Sequence, residues 1–146
     1  MPHFRQIDYN SISPDEALLM RAKLHIRGGK RRLREGKISL GIVTLYDALN
    51  SAIQWYVASS EHKRLLRIKD SDNVNDDHTV SDLLVRAGII DPRFNYNTFD
   101  ELVDMALKKD MSSYDYSNVL KEIETVMTSL GVMPFDENEL PPDRGE

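Results

Sequence analysis

The stretch from residue 38 to residue 57 constrains the fold most, because apolar side chains cover most of its helical circumference. Two apolar stripes run along it at three- and four-residue spacing. The first stripe holds Ile38, Ile42, Leu45, Leu49, Ala52 and Tyr56, and the second holds Gly41, Leu45, Ala48, Ala52 and Trp55. Because such a helix is buried on most sides, we expect it to lie at the centre of a helical bundle.

A second long helical signal precedes this stretch, over residues 15–35. Ser13 and Pro14 suit the cap and the first helical position. Gly28 and Gly29 lie inside this helix, where each costs about 1 kcal/mol relative to alanine. We expect them to admit a closely approaching neighbour, with a bend in the helix as the alternative. The short connection to the next helix predicts an antiparallel hairpin.

Three shorter helices are predicted in the second half of the chain. Their predicted caps or first residues are Thr79, Thr98 and either Ser113 or Asp115, and the first and last of these helices end at Gly88 and Gly131. No alternating β-branched pattern supports a strand. We therefore predict an all-α fold, a helical bundle built on a long antiparallel helical hairpin with shorter C-terminal helices. One helical domain covers residues 1–132, followed by an acidic, proline-containing tail at residues 133–146.

The composition indicates the compartment. The chain has 146 residues, which suffice for one hydrophobic core, and no cysteine. A disulfide framework and a zinc site built on thiolates are therefore excluded, and we expect a cytoplasmic protein. No segment approaches about 20 consecutive apolar residues, so we expect no membrane partner.

The motifs of known catalytic sites are missing from the sequence. The histidines, which lack metal-ligand spacing, are His3, His25, His62 and His78. The acidic run at residues 70–81 departs from a calcium-binding loop at Val74, Asn75 and Ser81. The glycine pair at residues 28–29 lacks the spacing of a phosphate-binding loop. We expect no cofactor and no metal site, and a non-catalytic role is favoured over an enzyme.

Charge divides the chain into a basic and an acidic half. Residues 1–69 hold 13 Lys and Arg against 6 Asp and Glu, and residues 70–146 hold 6 against 18. One face of the first helix carries the basic residues Arg27, Lys30, Arg31 and Arg34. This face either contacts nucleic-acid phosphates or meets carboxylates of the acidic half, and we favour the second. The expected carboxylates are those of residues such as Asp100, Glu101, Asp104, Glu122 or Glu124.

Three polar residues interrupt the apolar second helix on one face, namely Asp47, Asn50 and Gln54. Their three- and four-residue spacing places them side by side. They line a polar groove, form a subunit contact or make up a solvent-facing strip. We favour the strip or the subunit contact over a ligand site.

The first two predicted helices combine features that resemble a known superfamily. A charged helix ends at a glycine, and the next helix carries a tyrosine and alanines among apolar positions; these residues are Gly36, Tyr46, Ala48 and Ala52. In this, residues 17–57 resemble the opening helix pair of the HEPN (higher eukaryote and prokaryote nucleotide-binding) superfamily. The resemblance implies a helical bundle that often dimerises. Catalytic members cleave RNA with an arginine and a histidine at a wider spacing than Arg21 and His25, so nuclease activity is not implied.

The sequence as a whole predicts a non-catalytic helical interaction or adaptor protein that self-associates or binds a protein partner. Self-association is expected because one small bundle does not fully cover so apolar a second helix, with Tyr46, Leu49 and Trp55 as its diagnostic residues. The alternative is a HEPN-type nucleic-acid or nucleotide-binding protein that uses the basic helix at residues 21–37.

Overall fold

The computed structural model describes residues 12–143, whose regular structure is helical throughout. The α-helices are α1 (Pro14–Arg34), α2 (Ile38–Ala58), α3 (Ser60–Leu65), α4 (Asp77–Arg86), α5 (Tyr96–Lys108) and α6 (Ser117–Leu130), and a 3₁₀ turn follows at Glu137–Glu139. No strand occurs in this part of the chain. The all-α fold and the long N-terminal hairpin predicted from the sequence are confirmed.

The hairpin of α1 and α2 is held together at two glycines. A Cβ atom on Gly29 would lie 2.9 Å from Cδ2 of Leu45, and one on Gly41 would lie 2.7 Å from Leu33. Neither position has room for a side chain, because carbon atoms in contact lie about 3.5–4.0 Å apart. α1 is a continuous helix through this region. Close approach of a neighbouring helix is therefore confirmed at Gly29.

α2 is the centre of the bundle, because α1, α4, α5 and α6 all pack on it. Leu49 is completely buried, and Tyr46 and Trp55 are partly buried against the same core. Leu40 is the large apolar side chain of α2 that remains exposed, at 50%. The other helices of the same chain thus cover the apolar surface of α2 from which we predicted self-association.

The predicted starts of α4 and α5 were wrong by about one turn. The Asp76 side chain accepts a hydrogen bond from the backbone N–H of Thr79, which makes Asp76 the cap of α4. The Asn95 side chain likewise accepts from the backbone N–H of Thr98 at 3.1 Å. The threonines lie inside the first turns because asparagine and aspartate are stronger caps than threonine.

α6 begins at Ser117, whose backbone N–H donates to the Asp115 carboxylate at 3.0 Å. It ends as predicted at Gly131, whose φ of +86° is the left-handed conformation that glycine adopts most readily. The residues after it turn back onto α1, where Leu140 packs against Leu24. No sequence pattern predicted where this segment lies.

Candidate functional site

The basic face of α1 is the first surface that the sequence singled out. Its residues share one side of the helix by their three- and four-residue spacing, and they are Arg27, Lys30, Arg31 and Arg34. The side chains of Lys30 and Arg31 are only 28% and 16% exposed. Arg34, near the end of α1, is exposed. Other parts of the chain therefore cover the middle of this face.

Carboxylates of the acidic half provide part of that cover. Nζ of Lys30 lies 3.2 Å from Oε2 of Glu124 on α6. Nε of Arg31 donates to Oδ2 of Asp143 at 2.8 Å. The expected pairing between the two halves is confirmed for these two cations. Four other carboxylates named in that prediction form no hydrogen bond or ion pair with α1 within residues 12–143, namely Asp100, Glu101, Asp104 and Glu122.

The polar residues of α2 were the second predicted site, and Asn50 belongs to a partly buried hydrogen-bond network. The Tyr96 hydroxyl donates to Oδ1 of Asn50 at 2.8 Å and lies 3.1 Å from the Tyr46 hydroxyl. Tyr46 in turn donates to Oδ1 of Asp100 at 2.9 Å. Burial, together with the neighbouring Tyr46, raises the pKa of Tyr96 above its usual value. The phenol therefore stays protonated at neutral pH and fixes α5 against α2.

Gln54 extends the polar contacts of α2 to α4, whereas Asp47 does not belong to these hydrogen bonds. Nε2 of Gln54 donates to Oδ1 of Asp77 at 2.7 Å. Burial raises the pKa of the Asp77 carboxyl, and the hydrogen bond from Gln54 opposes this shift. Loss of solvation also raises the pKa of Asp47, against the effect of the Arg21 cation. The structure thus brings Asn50 and Gln54 into contacts between helices of one chain.

A cleft between α5 and α6 is a third surface, which the sequence did not reveal. Both helices pack on α2 but scarcely contact each other, and a cavity of about 440 Å³ opens between them. Its apolar lining comes from Phe99, Leu102, Met105, Tyr114 and Val119. Met105 is 42% exposed, so the lining is open to solvent at its edge. The surrounding side chains are polar or charged and include Thr98, Glu101, Asn118 and Glu122.

A second cavity of about 360 Å³ continues this cleft along α6. Phe94 and Val126 are its apolar lining, and Ser129 lies at its far end. Arg93, Asn118 and Glu122 line both cavities. The two cavities therefore form one trough, which we call the α6 trough.

A fixed ion pair stands where the two cavities meet. The Arg93 guanidinium donates to both carboxylate oxygens of Asp91, from Nε at 3.1 Å and from Nη2 at 2.7 Å. The hydrogen bonds from the Arg93 side chain and backbone lower the pKa of Asp91 to about 2. The Arg93 side chain is nonetheless 91% exposed. It therefore presents a positioned cation at the middle of the trough.

One signal in the sequence could have revealed the trough. α5 buries one stripe, formed by Tyr96, Phe99, Val103 and Ala106. Leu102 and Met105 lie outside that stripe, and Met105 is 42% exposed. A surface helix normally carries one apolar stripe. The apolar residues of α5 outside its buried stripe therefore indicate a further contact.

Comparisons with protein-family models, with curated proteins and with solved structures found no match. The resemblance to the HEPN superfamily therefore stays a prediction. Within residues 12–143, no helix is long and apolar enough to cross a membrane. The same residues hold no group of three or more histidines and carboxylates placed to bind a metal ion.

Proposed function

We propose that this protein is a non-catalytic interaction protein that binds the apolar face of a partner protein's helix in the α6 trough. The observation that carries this proposal is the gap between α5 and α6, two helices that pack on α2 but make few contacts with each other. An added helix would fill this gap and complete the bundle. Its apolar face would contact Leu102, Met105 and Val119.

The dimensions of the trough suit two to three turns of helix. Its lining on α6 runs from Asn118 to Ser129, which is about 16 Å at a rise of 1.5 Å per residue. Each of its two cavities has a volume typical of ligand sites, about 300–1,000 Å³. An amphipathic helix would place apolar side chains at positions i, i+3 or i+4, and i+7 along it.

The chemistry of the lining also favours a protein partner. Met105 and Tyr114 provide adaptable and aromatic contact surface, which is typical of protein interfaces. Arg93, paired with Asp91, is placed to donate a hydrogen bond to a carboxylate or backbone carbonyl of the partner. The absence of cysteine from the sequence supports our proposal that this interaction takes place in the cytoplasm.

A library of displayed helical peptides with randomised apolar stripes tests this function. We expect selected peptides to converge on an i, i+3 or i+4, i+7 apolar pattern and to shift the NMR signals of Leu102, Met105 and Val119. Met105→Glu should weaken binding at least about tenfold, because a charge would be buried against the apolar stripe. Leu107→Glu is the matched control on the same helix, since Leu107 does not line the trough.

Two results would contradict the proposal. Peptides without a helical apolar pattern, or binding that Met105→Glu leaves unchanged, would exclude the trough as a site for helices. Sedimentation of the full chain tests the remaining possibility, which is that the trough binds a second copy of this chain. A dimer that Met105→Glu converts to monomer would make a second copy of this chain the occupant in place of a different protein.

HEPN-type nucleic-acid binding is the second candidate function, and it is supported by the four cations on one face of α1. Anisotropy titrations with RNA and DNA at two salt concentrations test it. We expect binding to weaken steeply with salt and to be lost when Arg27, Arg31 and Arg34 are all changed to Glu, if this function holds. Weak binding that these changes do not affect would contradict it.

A further inference from the structure

The C-terminal segment, residues 133–143, covers one face of α1 through a small apolar contact of its own. Leu140 and Leu24 are 8% and 2% exposed and bury each other in a cluster apart from the main core. Met20 and Phe135 pack at the edge of this cluster. Phe135 also packs against the main core, as does Met133, and Leu140 is the buried side chain by which the segment contacts α1.

Charge contacts flank this apolar anchor. Asp143 accepts from Nε of Arg31 at 2.8 Å. Nζ of Lys23 lies 5.7 Å from the centre of the Phe135 ring, within the range of a cation–π contact. The segment carries four acidic residues and no basic residue. It therefore fits the basic face of α1 both by its leucine and by its charge.

The backbone of the segment contributes little to this attachment. Its hydrogen bonds after Met133 run from Glu139 to Asp136 and from Leu140 to Glu137, within the segment itself. Side chains alone hold it on α1 in the described part of the chain, so it can leave without breaking a backbone ladder. Its departure would expose Leu24 and separate Arg31 from Asp143.

We propose that the face of α1 beneath this segment binds an acidic, leucine-containing segment of a partner protein, with the C-terminal segment as its intramolecular competitor. This site is separate from the α6 trough and does not depend on it. The exposed surface would combine an apolar socket, formed by Met20 and Leu24, with the cations of Lys23 and Arg31. A protein segment provides both an apolar anchor and carboxylates, whereas a phosphate backbone has no group for the socket. The C-terminal segment is an internal copy of such a ligand.

Competition of this kind has a measurable consequence. A tethered segment acts at an effective concentration in the millimolar range. The apparent affinity for an added ligand falls in proportion to the fraction of molecules whose site is open. Weakening the tethered segment must therefore strengthen binding of the same sequence added as a free peptide.

The test is an anisotropy titration of the full chain with a labelled peptide of residues 133–143, MPFDENELPPD. We expect the double variant Leu140→Ala, Asp143→Ala to bind this peptide at least about tenfold more tightly than the unchanged protein. Asn138→Ala is the matched control, because Asn138 is exposed and its side chain forms no hydrogen bond with α1 among residues 12–143. In the double variant, Arg31→Glu should abolish peptide binding.

Two further probes define the partner class. A peptide in which the leucine of position 140 is replaced by aspartate should lose most of its affinity, because it cannot fill the socket. Tighter binding of a single-stranded RNA oligonucleotide than of the peptide would overturn the proposal in favour of a polyanion site.

Other outcomes also overturn the proposal. Equal peptide affinity of the double variant and the unchanged protein would show that the segment does not compete. Loss of the cooperative unfolding transition in the double variant would show that the segment is an integral part of the fold. The single variant Asp143→Lys, which leaves the leucine anchor in place, should still gain affinity; no gain would contradict competition.

Discussion

The hairpin of α1 and α2 is closely packed, whereas the pair of α5 and α6 leaves a gap, although both arrangements are built on the central helix α2. In the hairpin, Gly29 and Gly41 have no side chain, and the two helices can therefore approach each other closely. α5 and α6 both rest on α2, yet they leave the α6 trough open between them. The first arrangement excludes any further molecule, and the second leaves apolar surface for one.

This difference predicts which region binds a partner and in which region substitutions lower the stability of the fold. A filled contact without voids contributes to stability through every atom that it buries. An open apolar trough contributes less, and its exposed surface is available to a partner. We therefore expect substitutions in the hairpin to change stability and substitutions in the trough to change binding.

The largest expected effect comes from the same substitution made in both regions. Leu45→Ala removes a completely buried side chain that touches Gly29, and we expect a loss of about 2–5 kcal/mol in the free energy of unfolding. Leu102→Ala removes a partly buried side chain, and we expect a loss of about 1 kcal/mol. Urea unfolding measures both. Equal losses at the two positions would break the comparison.

A smaller effect distinguishes the close approach from ordinary helix propensity. Gly41→Ala should destabilise by about 1–3 kcal/mol through overpacking against Leu33, although alanine is the better helix former. Gly28→Ala is the control, because its Cβ would meet the far end of the Arg32 side chain at 3.0 Å and Thr44 at an ordinary contact distance of 4.0 Å. Thermal unfolding should show a lower melting temperature for Gly41→Ala alone. A stabilised Gly41→Ala variant would refute the close approach.

The smallest expected effect concerns the ion pair in the α6 trough. The folded-state pKa of Asp91, about 2, lies below the usual 3.8. The ionised carboxylate therefore stabilises the fold fully above the unfolded pKa, and this contribution is lost as the pH falls through about 2. NMR titration of the Asp91 side chain should show this midpoint. Arg93→Ala should return it towards 3.8, and Arg93→Lys should restore only part of the shift because lysine cannot bind both oxygens in one plane.

A titration midpoint of Asp91 near its usual value in the unchanged protein would mean that Arg93 is not held in place. The trough would then lack a positioned cation at its centre. The apolar lining and the contacts with a helix would remain, so only the polar part of the proposed site would have to be abandoned.

The sequence by itself determined the helical hairpin and the central position of α2. Apolar spacing over residues 38–57 is a local property that persists whatever the helix packs against. The glycine pair is a local signal as well. Glycine destabilises the interior of a helix, so its presence there predicts a close neighbour, and α2 is that neighbour at Gly29. The starts of α4 and α5 were mistaken because the Asp76 and Asn95 side chains accept from the backbone N–H groups of Thr79 and Thr98, which places both threonines inside the first turns.

Only the tertiary structure decided which surfaces are covered and which stay open. The basic face of α1 and its excess of positive charge are evident from residue spacing, but the carboxylates that pair with it, Glu124 and Asp143, are distant in the sequence. The spacing of Asn50 and Gln54 predicts that they share a helix face, but their hydrogen-bond partners lie on α4 and α5. The α6 trough depends on the distance between two helices, which no local pattern encodes. Long-range packing fixes these features, because it joins residues that the sequence leaves far apart.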